Sequence, residues 1–263
     1  MGAKAILTLA AFVLLGLVFG SFGTVAAHRI PLRESIVSGR SRCPHCRETI
    51  RWWQNIPVAS YVLQRGRCMR CGARIALRYP LMEAGTGALF ALCAWRFDAL
   101  YVAAVYAACS WVLVVLSVID IDHHLLPNRV VLPSAACAWL ALSASALALG
   151  SPERVLHMLA GGALFSGFLA LIAFANPAWM GFGDVKLALL SGAMLGFAGS
   201  WPLTLAGMFL SFFFGAAGGA LLMIVTGASR KSQVPFGPYL ALGAMVAVLF
   251  GEPLVAFYRG LVV

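Results

Sequence analysis

The sequence predicts an all-α polytopic membrane protein with about eight transmembrane helices. Hydrophobic residues make up 62% of the 263 residues, and charged residues make up only 11%. Soluble domains average roughly 45–50% apolar residues, so this composition is typical of an integral membrane protein. The apolar residues fall into long runs, and one long polar stretch, at residues 28–80, separates the first run from the others.

The first apolar run, 5–27, is longer than a signal-peptide core and has no clean small-residue cleavage site after it, so we expect a retained helix. The later runs cover residues 81–97, 99–119, 130–150, 155–176, 184–198, 203–226 and 238–258. Two of them, 81–97 and 184–198, are shorter than the roughly 20 residues of a spanning helix, so we expect tilted or internal helices there. The predicted parts are therefore a first span at 1–27, a loop at 28–80 and a seven-helix core at 81–263.

Glycines recur inside the apolar runs, where small residues let helices approach closely. They are Gly161, Gly162, Gly192, Gly196, Gly215, Gly218 and Gly219. We expect each of them to lie at a helix–helix contact.

Positive charge is concentrated in the polar loop, since eleven of the nineteen Lys and Arg residues lie between Arg29 and Arg78. By the positive-inside rule we expect the loop to be cytoplasmic, beside anionic lipid, and both termini to lie on the far side of the membrane. The remaining cytoplasmic connections carry Arg129, Lys186, Arg230 and Lys231, which gives fifteen positive residues inside against four outside. The net charge of +10 thus indicates membrane orientation, and we expect no nucleic-acid partner.

Four cysteines in the loop form two Cys-x-x-Cys pairs separated by 21 residues. They are Cys43, Cys46, Cys68 and Cys71. This spacing is close to that of a structural zinc site, in which four thiolates fill a tetrahedral shell and leave no position for a substrate. We expect one Zn²⁺ that braces the loop, with His45 as a competing but less favoured ligand. The apolar residues between the pairs, from Trp52 to Leu63, are expected to form a small core.

Two aspartates at the ends of apolar runs are the candidate catalytic residues. Asp120 closes one run and Asp184 opens another. A carboxylate at membrane depth costs at least roughly 2.5 kcal/mol on insertion scales, so it usually marks function. The predicted topology brings both residues to one depth at the cytoplasmic boundary. Two facing carboxylates share one proton, which suits hydrolysis of a peptide bond without a metal.

The neighbouring residues leave alternatives open. Gly181 and Gly183 allow a peptide backbone to approach Asp184, and Lys186 either offsets the charge of the pair or anchors the helix end. Asp184 is also a credible helix cap, whereas an acid at a helix C-terminus, as at Asp120, opposes the helix dipole. Asp122 lies two residues beyond Asp120, so only one of the two is expected to face Asp184.

Seven stretches along the chain together form a recognisable pattern. They are Gly20-Ser21-Phe22 through Arg29-Ile30-Pro31, the double Cys-x-x-Cys loop, Asn55-Ile56-Pro57, Arg78-Tyr79-Pro80-Leu81-Met82-Glu83, the segment from Asp120 to Asn128, the segment from Gly181 to Lys186, and Pro235-Phe236-Gly237-Pro238-Tyr239. This pattern resembles the bifunctional prepilin peptidases, also called type IV leader peptidases, which are membrane aspartic proteases of the Gly-x-Gly-Asp type. The resemblance runs almost end to end.

The resemblance implies that Asp120, seven residues before Pro127, and Asp184 are the catalytic pair, with Asp122 as a neighbour that tunes it. It also implies that the protein cleaves the basic leader from prepilins or pseudopilins after a glycine, in the bacterial inner membrane. The new amino terminus is then expected to be methylated with S-adenosylmethionine.

Three residues are candidates for contact with the methyl donor or the substrate, namely Ser21, Thr24 and Glu83. The family usually continues Gly-Ser-Phe with Leu-Asn, whereas this chain has Gly23-Thr24, which keeps only a hydroxyl at the second position. A leader peptidase without methylation is therefore an alternative hypothesis. Two hypotheses from other classes are a transporter that relays protons or cations through the aspartates, and a metal-braced scaffold subunit of a secretion assembly.

Overall fold

The computed structural model describes residues 2–177, 179–226 and 234–262, and the regular elements within them are helices. The α-helices are α1 (Ala3–Arg29), α2 (Ala59–Leu63), α3 (Arg78–Arg96), α4 (Leu100–His123), α5 (Asn128–Ala148), α6 (Glu153–Ala175), α7 (Phe182–Thr226) and α8 (Gly237–Val262). Six helical segments in the described residues are long and apolar enough to cross a membrane, and the apolar segment Gly237–Pro253 is shorter. The predicted all-α, multi-pass architecture is confirmed.

Helix α7 contains two predicted runs, 184–198 and 203–226, in one helical stretch with Pro202 inside it. Along a straight helix, Leu195 and Gly207 would lie about 18 Å apart. A Cβ atom on Gly207 would instead lie 2.5 Å from Leu195 Cδ1. The chain therefore reverses direction between these residues, and the two apolar halves, Phe182–Gly199 and Trp201–Val225, are separate candidate spans.

The chain divides into two compact units, Met1–Val115 and Leu116–Val263. In the first unit, α1 packs against α3 through a row of glycines spaced three and four residues apart, which places them on one helix face. Cβ atoms at Gly16 and Gly20 would lie 2.7 Å from Gly87 Cα and 2.6 Å from Glu83 Cα. Only residues without a side chain allow two helix backbones to come this close.

In the second unit, α6 and the first half of α7 also pack through glycines. A Cβ atom at Gly192 would overlap the carbonyl oxygen of Gly161, and one at Gly196 would overlap the carbonyl oxygen of His157. The predicted role of these glycines in close helix packing is confirmed. The prediction is wrong for Gly219, because a Cβ atom there would meet open space.

The loop between α1 and α3 does not form the small apolar core that the sequence predicts. Trp52 is 81% exposed, Leu63 is 82% exposed, and none of the other four apolar residues, Trp53, Ile56, Val58 and Tyr61, is buried. Backbone hydrogen bonds around the cysteine pairs hold this segment instead. A segment this short has too little apolar surface to close a core around itself.

Two residues used to predict the membrane orientation, Arg230 and Lys231, lie outside the described residues.

Candidate active site and metal centre

Asp120 lies in the last turn of α4 and is almost fully buried, with 6% of its surface exposed. Its Oδ2 accepts a hydrogen bond of 3.0 Å from the backbone N–H of Gly237, the first residue of α8. The free N–H groups and the dipole at a helix N-terminus favour a negative charge. The N-terminus of α8 therefore stabilises the negative charge of Asp120, which the dipole of α4 disfavours.

Asp184 lies in the first turn of α7 and is half-buried. Its backbone N–H donates to the carbonyl oxygen of Gly181 at 3.1 Å, and its carboxylate accepts a hydrogen bond from the backbone N–H of Gly181. This reciprocal pair resembles one half of a capping box. Asp184 thus belongs to the N-terminal turn of α7, and Asp120, in the last turn of α4, accepts a hydrogen bond from the N-terminus of α8.

The carboxylates of Asp120 and Asp184 are close enough to interact electrostatically. Both belong to the second compact unit, and α4, α7 and α8 supply the groups around them. A buried carboxylate that interacts electrostatically with a half-buried one, each with a backbone N–H donor, is an arrangement that can hold one proton between two acids. Such a pair can activate water and protonate a carbonyl oxygen.

The residues near the pair divide into those that face it and those that do not. Asp122 is exposed whereas Asp120 is buried, as expected for residues two apart on a helix. His124 interacts electrostatically with the Asp120 carboxylate. Lys186 Nζ donates to Asn128 Oδ1 at 2.9 Å, so it ties the start of α7 to the start of α5.

The two glycines before Asp184 have different surroundings. A Cβ atom on Gly181 would lie 3.3 Å from Asp184 Oδ2, so this glycine leaves space around the carboxylate. A Cβ atom on Gly183 would lie 3.0 Å from the Cβ of Leu126, a buried residue of the loop after α4. Gly183 therefore allows the loop that follows Asp120 to pack against the start of α7.

The sequence motifs alone assign no role to Gly237, although it donates to Asp120. A Cβ atom at this position would lie 2.7 Å from Asp120 Oδ2. The signal in the sequence is the pair Gly237-Pro238 before an apolar run, because proline is favoured in the first turn of a helix. Nothing local indicates that this helix start meets a residue 117 positions earlier.

The four loop cysteines form one cluster, in which all the sulfur atoms lie within 4.8 Å of one another. Cys43 Sγ and Cys71 Sγ are 3.9 Å apart. Four sulfurs at about 2.3 Å from a tetrahedral Zn²⁺ would lie about 3.8 Å apart, so the cluster fits this ion. His45 is exposed and does not belong to the cluster.

The two cysteine pairs have matching backbone turns. The N–H of Cys43 donates to Glu48 and that of Cys68 donates to Ala73, while the carbonyls of both cysteines accept from the residue four positions later. That residue has positive φ in each turn, 56° at Arg47 and 71° at Gly72. Backbone N–H groups of Cys71 and Arg70 lower the pKa of Cys68 to about 6, which favours the thiolate that binds metal.

The three candidate residues for contact with the methyl donor or the substrate lie in the first unit but have different partners. Ser21 lines a cleft of about 620 Å³ between α1 and the loop that follows it. The Thr24 hydroxyl donates to the Ser21 carbonyl at 2.8 Å, so it is used within α1. Glu83 Oε2 accepts a hydrogen bond of 2.7 Å from the backbone N–H of Val58.

Comparison with known proteins gives matches over nearly the whole chain. A family model described as bacterial peptidase A24 N-terminal domain matches residues 14–97, and one described as type IV leader peptidase family matches residues 107–220, which include both aspartates. No solved structure matches the chain.

Several curated relatives carry the name prepilin leader peptidase/N-methyltransferase. The protein from Stutzerimonas stutzeri is 36% identical, with 94% of each chain covered. The one from Pseudomonas aeruginosa is 35% identical over 94% of this chain and 91% of its own. The one from Bacillus subtilis is 35% identical over 92% of this chain and 94% of its own.

Proposed function

Because the chain belongs to the type IV leader peptidase family, we propose that it removes the leader from type IV prepilins or pseudopilins and methylates the new amino terminus. The cleavage follows a glycine, and S-adenosylmethionine donates the methyl group. The observation that carries the proposal is the pair of interacting aspartates, one buried and one half-buried, each of which accepts a hydrogen bond from a backbone N–H group.

In the proposed hydrolysis, Asp120 and Asp184 hold one proton between them. The ionised carboxylate takes a proton from water as the water oxygen attacks the carbonyl carbon of the glycine, and the protonated carboxyl donates to the carbonyl oxygen. The tetrahedral intermediate then collapses: the C–N bond breaks, the leaving nitrogen takes up a proton from the pair, and one hydroxyl of the intermediate returns a proton to the pair as the C=O bond forms again. Gly237 and Gly181 keep the two carboxylates in place through their backbone N–H groups.

The proposed topology puts the loop at 28–80 in the cytoplasm of a bacterial inner membrane and both termini in the periplasm. The bias of positive charge toward the loop supports this orientation. A prepilin with a basic leader on the cytoplasmic side and an apolar helix in the bilayer then presents its cleavage site at the level of Asp120 and Asp184. The division into a first span, a loop and a seven-helix core remains a prediction.

The four clustered thiols are proposed to hold one structural Zn²⁺. All four positions of a tetrahedral shell are then filled by protein, so the ion braces the loop and takes no part in hydrolysis.

The amine released by cleavage is the proposed acceptor of the methyl group. When bound, S-adenosylmethionine would supply a methyl group to the neutral amine: the new N–C bond would form as the S–CH3 bond breaks, S-adenosylhomocysteine would leave, and the methylated amine would lose one proton to solvent. The names of the curated relatives support this second activity.

The test uses the purified full-length protein in detergent with a prepilin substrate. Replacing either Asp120 or Asp184 with Asn is expected to lower the cleavage rate by about 10²–10⁴-fold, the usual contribution of a general acid or base. Asp98→Asn is the matched control, because Asp98 is an exposed acid in the turn before α4. If both active-site variants cleave at the rate of the control, the aspartates are not the catalytic pair. Label from the methyl donor on the cleaved product separates the bifunctional enzyme from a peptidase alone.

A further inference from the structure

The cleft in the first unit combines apolar walls with a few polar groups. Its volume of about 620 Å³ falls within the roughly 300–1,000 Å³ typical of small-ligand sites. Ser21, Phe22 and Arg29 of α1 line one side, and Ile36, Asn55 and Pro57 of the loop line the other. Arg29 Nη1 donates to the carbonyls of Ser35 and Ser38, at 3.0 and 2.7 Å, which fixes the guanidinium at the cleft.

The wall that carries Asn55 and Pro57 continues into an unusual turn. Val58 has φ 60° and ψ −50°, and the N–H of Ala59 donates to the carbonyl of Pro57 across it. These features define a γ-turn with positive central φ, which is rare and strained. Positive φ in a β-branched residue is an outlier, and such outliers persist only where the surrounding structure holds them.

Glu83 is the group that holds this turn. Its Oε2 accepts the N–H of Val58 at 2.7 Å. Glu83 is itself fixed, because a Cβ atom on Gly20 of α1 would lie 2.6 Å from its Cα, so α1 and α3 pack backbone to backbone at this level. The carboxylate is thus aimed from a rigid helix pair at one strained residue next to the cleft.

We propose that this cleft binds the methyl donor and that Glu83 is a positioning residue that fixes its loop wall. The proposal rests on the proposed transferase function. The donor is a small cation that carries a carboxylate and an ammonium at one end, a sulfonium in the middle and a nucleoside at the other end. The Arg29 guanidinium can bind the carboxylate of the donor, and the Ser21 hydroxyl and Asn55 amide can form hydrogen bonds with the polar groups of the nucleoside. The apolar walls of the cleft can pack against the flat purine base.

The first experiment tests the cleft with binding of labelled S-adenosylmethionine to the full-length protein and with methyl transfer to cleaved prepilin. Ile36→Trp narrows the cleft and is expected to weaken donor binding about tenfold or more, with cleavage unchanged. Val62→Trp is the matched control, since Val62 is 67% exposed and lies on α2 outside the cleft. Equal donor binding by the two variants overturns the proposal. Loss of cleavage by Ile36→Trp alone also overturns it, because the cleft then binds the prepilin.

The second experiment separates positioning from direct contact. Glu83→Ala removes the acceptor for Val58 and is expected to weaken donor binding about tenfold, as for a lost hydrogen bond to a charged group. Glu83→Gln keeps a side-chain oxygen and is expected to retain most of the binding. Glycine adopts positive φ without strain, so Val58→Gly in the Glu83→Ala background is expected to restore binding in part.

If Glu83→Gln binds the donor as poorly as Glu83→Ala, and Val58→Gly restores nothing, the carboxylate charge itself contacts the donor and the positioning role is wrong. A wild-type protein that cleaves prepilin but neither binds nor transfers the methyl group refutes the proposed transferase activity, and this inference with it. Failure of the variants to differ, with an active wild type, refutes this inference alone.

Discussion

Gly237 illustrates how a single residue without a side chain determines the geometry of the candidate active site. Its N–H donates to Asp120 at 3.0 Å, and a Cβ atom on it would lie 2.7 Å from the same carboxylate oxygen. Any larger residue must therefore displace either the start of α8 or the buried carboxylate. Because a misplaced acid or base loses most of its catalytic effect, this position matters for chemistry although it carries no reactive group.

At the residue scale we predict that Gly237→Ala lowers the prepilin cleavage rate by about tenfold to 10²-fold, since a shift of about 1 Å can cost that much. The measurement is the initial rate with purified protein at saturating substrate. Gly219→Ala is the matched control, because a Cβ atom there would meet open space. Equal rates for the two variants would falsify the positioning of Asp120 by Gly237.

At the scale of elements, helix pairs in this protein approach through glycine rather than through interdigitated large side chains. Between α6 and α7, the Cβ that Gly192 lacks would overlap a backbone carbonyl, which cannot move aside as the end of a flexible side chain can. In lipid, where burial of apolar surface gives little drive for helix association, this close packing is a main source of stability.

We therefore predict that Gly192→Ala lowers the free energy of unfolding by about 1–3 kcal/mol, as overpacking does in other tightly packed cores. Thermal loss of the helical circular dichroism signal in detergent gives the comparison. Gly167→Ala adds the same methyl group to α6 at a site with open space and is expected to leave stability unchanged or slightly higher. A loss of stability in Gly167→Ala equal to that in Gly192→Ala contradicts the role of the close contact.

The two turns at the Cys-x-x-Cys pairs are a second feature at the scale of elements. They repeat the same backbone hydrogen bonds and place a residue with positive φ at the same position, Arg47 in one turn and Gly72 in the other. The loop residues around them bury little apolar surface, so we expect a bound metal ion to stabilise the loop in place of a core.

Elemental analysis of the purified protein is expected to give about one zinc per chain, as for one four-thiolate site. Cys68→Ser is expected to lose the metal and to make the loop sensitive to protease, while Cys137→Ser, at an exposed cysteine outside the cluster, keeps both properties. Retention of a full equivalent of zinc by Cys68→Ser contradicts the four-cysteine site.

At the scale of the whole molecule, the distribution of charge predicts the orientation in the membrane. The loop at 28–80 carries eleven of the nineteen positive residues, which favours the cytoplasmic side. Glu34 lies in this loop, whereas Glu153 begins α6 at the opposite predicted surface, and both are exposed.

In a Cys137→Ser parent, we predict that Glu153→Cys reacts with a membrane-impermeant maleimide in intact spheroplasts. Glu34→Cys is expected to gain label only after permeabilisation, measured against the parent protein. If Glu34→Cys is labelled in intact spheroplasts and Glu153→Cys only after permeabilisation, the topology is inverted. The aspartates then do not lie at the cytoplasmic boundary.

The sequence by itself determined the helices and the candidate chemistry, because both depend on local pattern. Long apolar runs predict membrane helices, and paired Cys-x-x-Cys motifs predict a cluster of four sulfur atoms. An acid at the end of an apolar run indicates function because its insertion into a membrane costs free energy. The different exposure of Asp122 and Asp120 also follows from local pattern, because residues two positions apart on a helix point in different directions.

Only the tertiary structure decided which backbone groups hold those side chains. Asp120 meets Gly237 across 117 residues and Glu83 meets Val58 across 25, and no local pattern encodes either hydrogen bond. Local pattern also does not show that Trp52 is exposed, because a tryptophan between two cysteine pairs is typical of a core residue. Burial and hydrogen bonding depend on which helices pack together, and that is set by close backbone approach at glycines rather than by the hydrophobicity of any one segment.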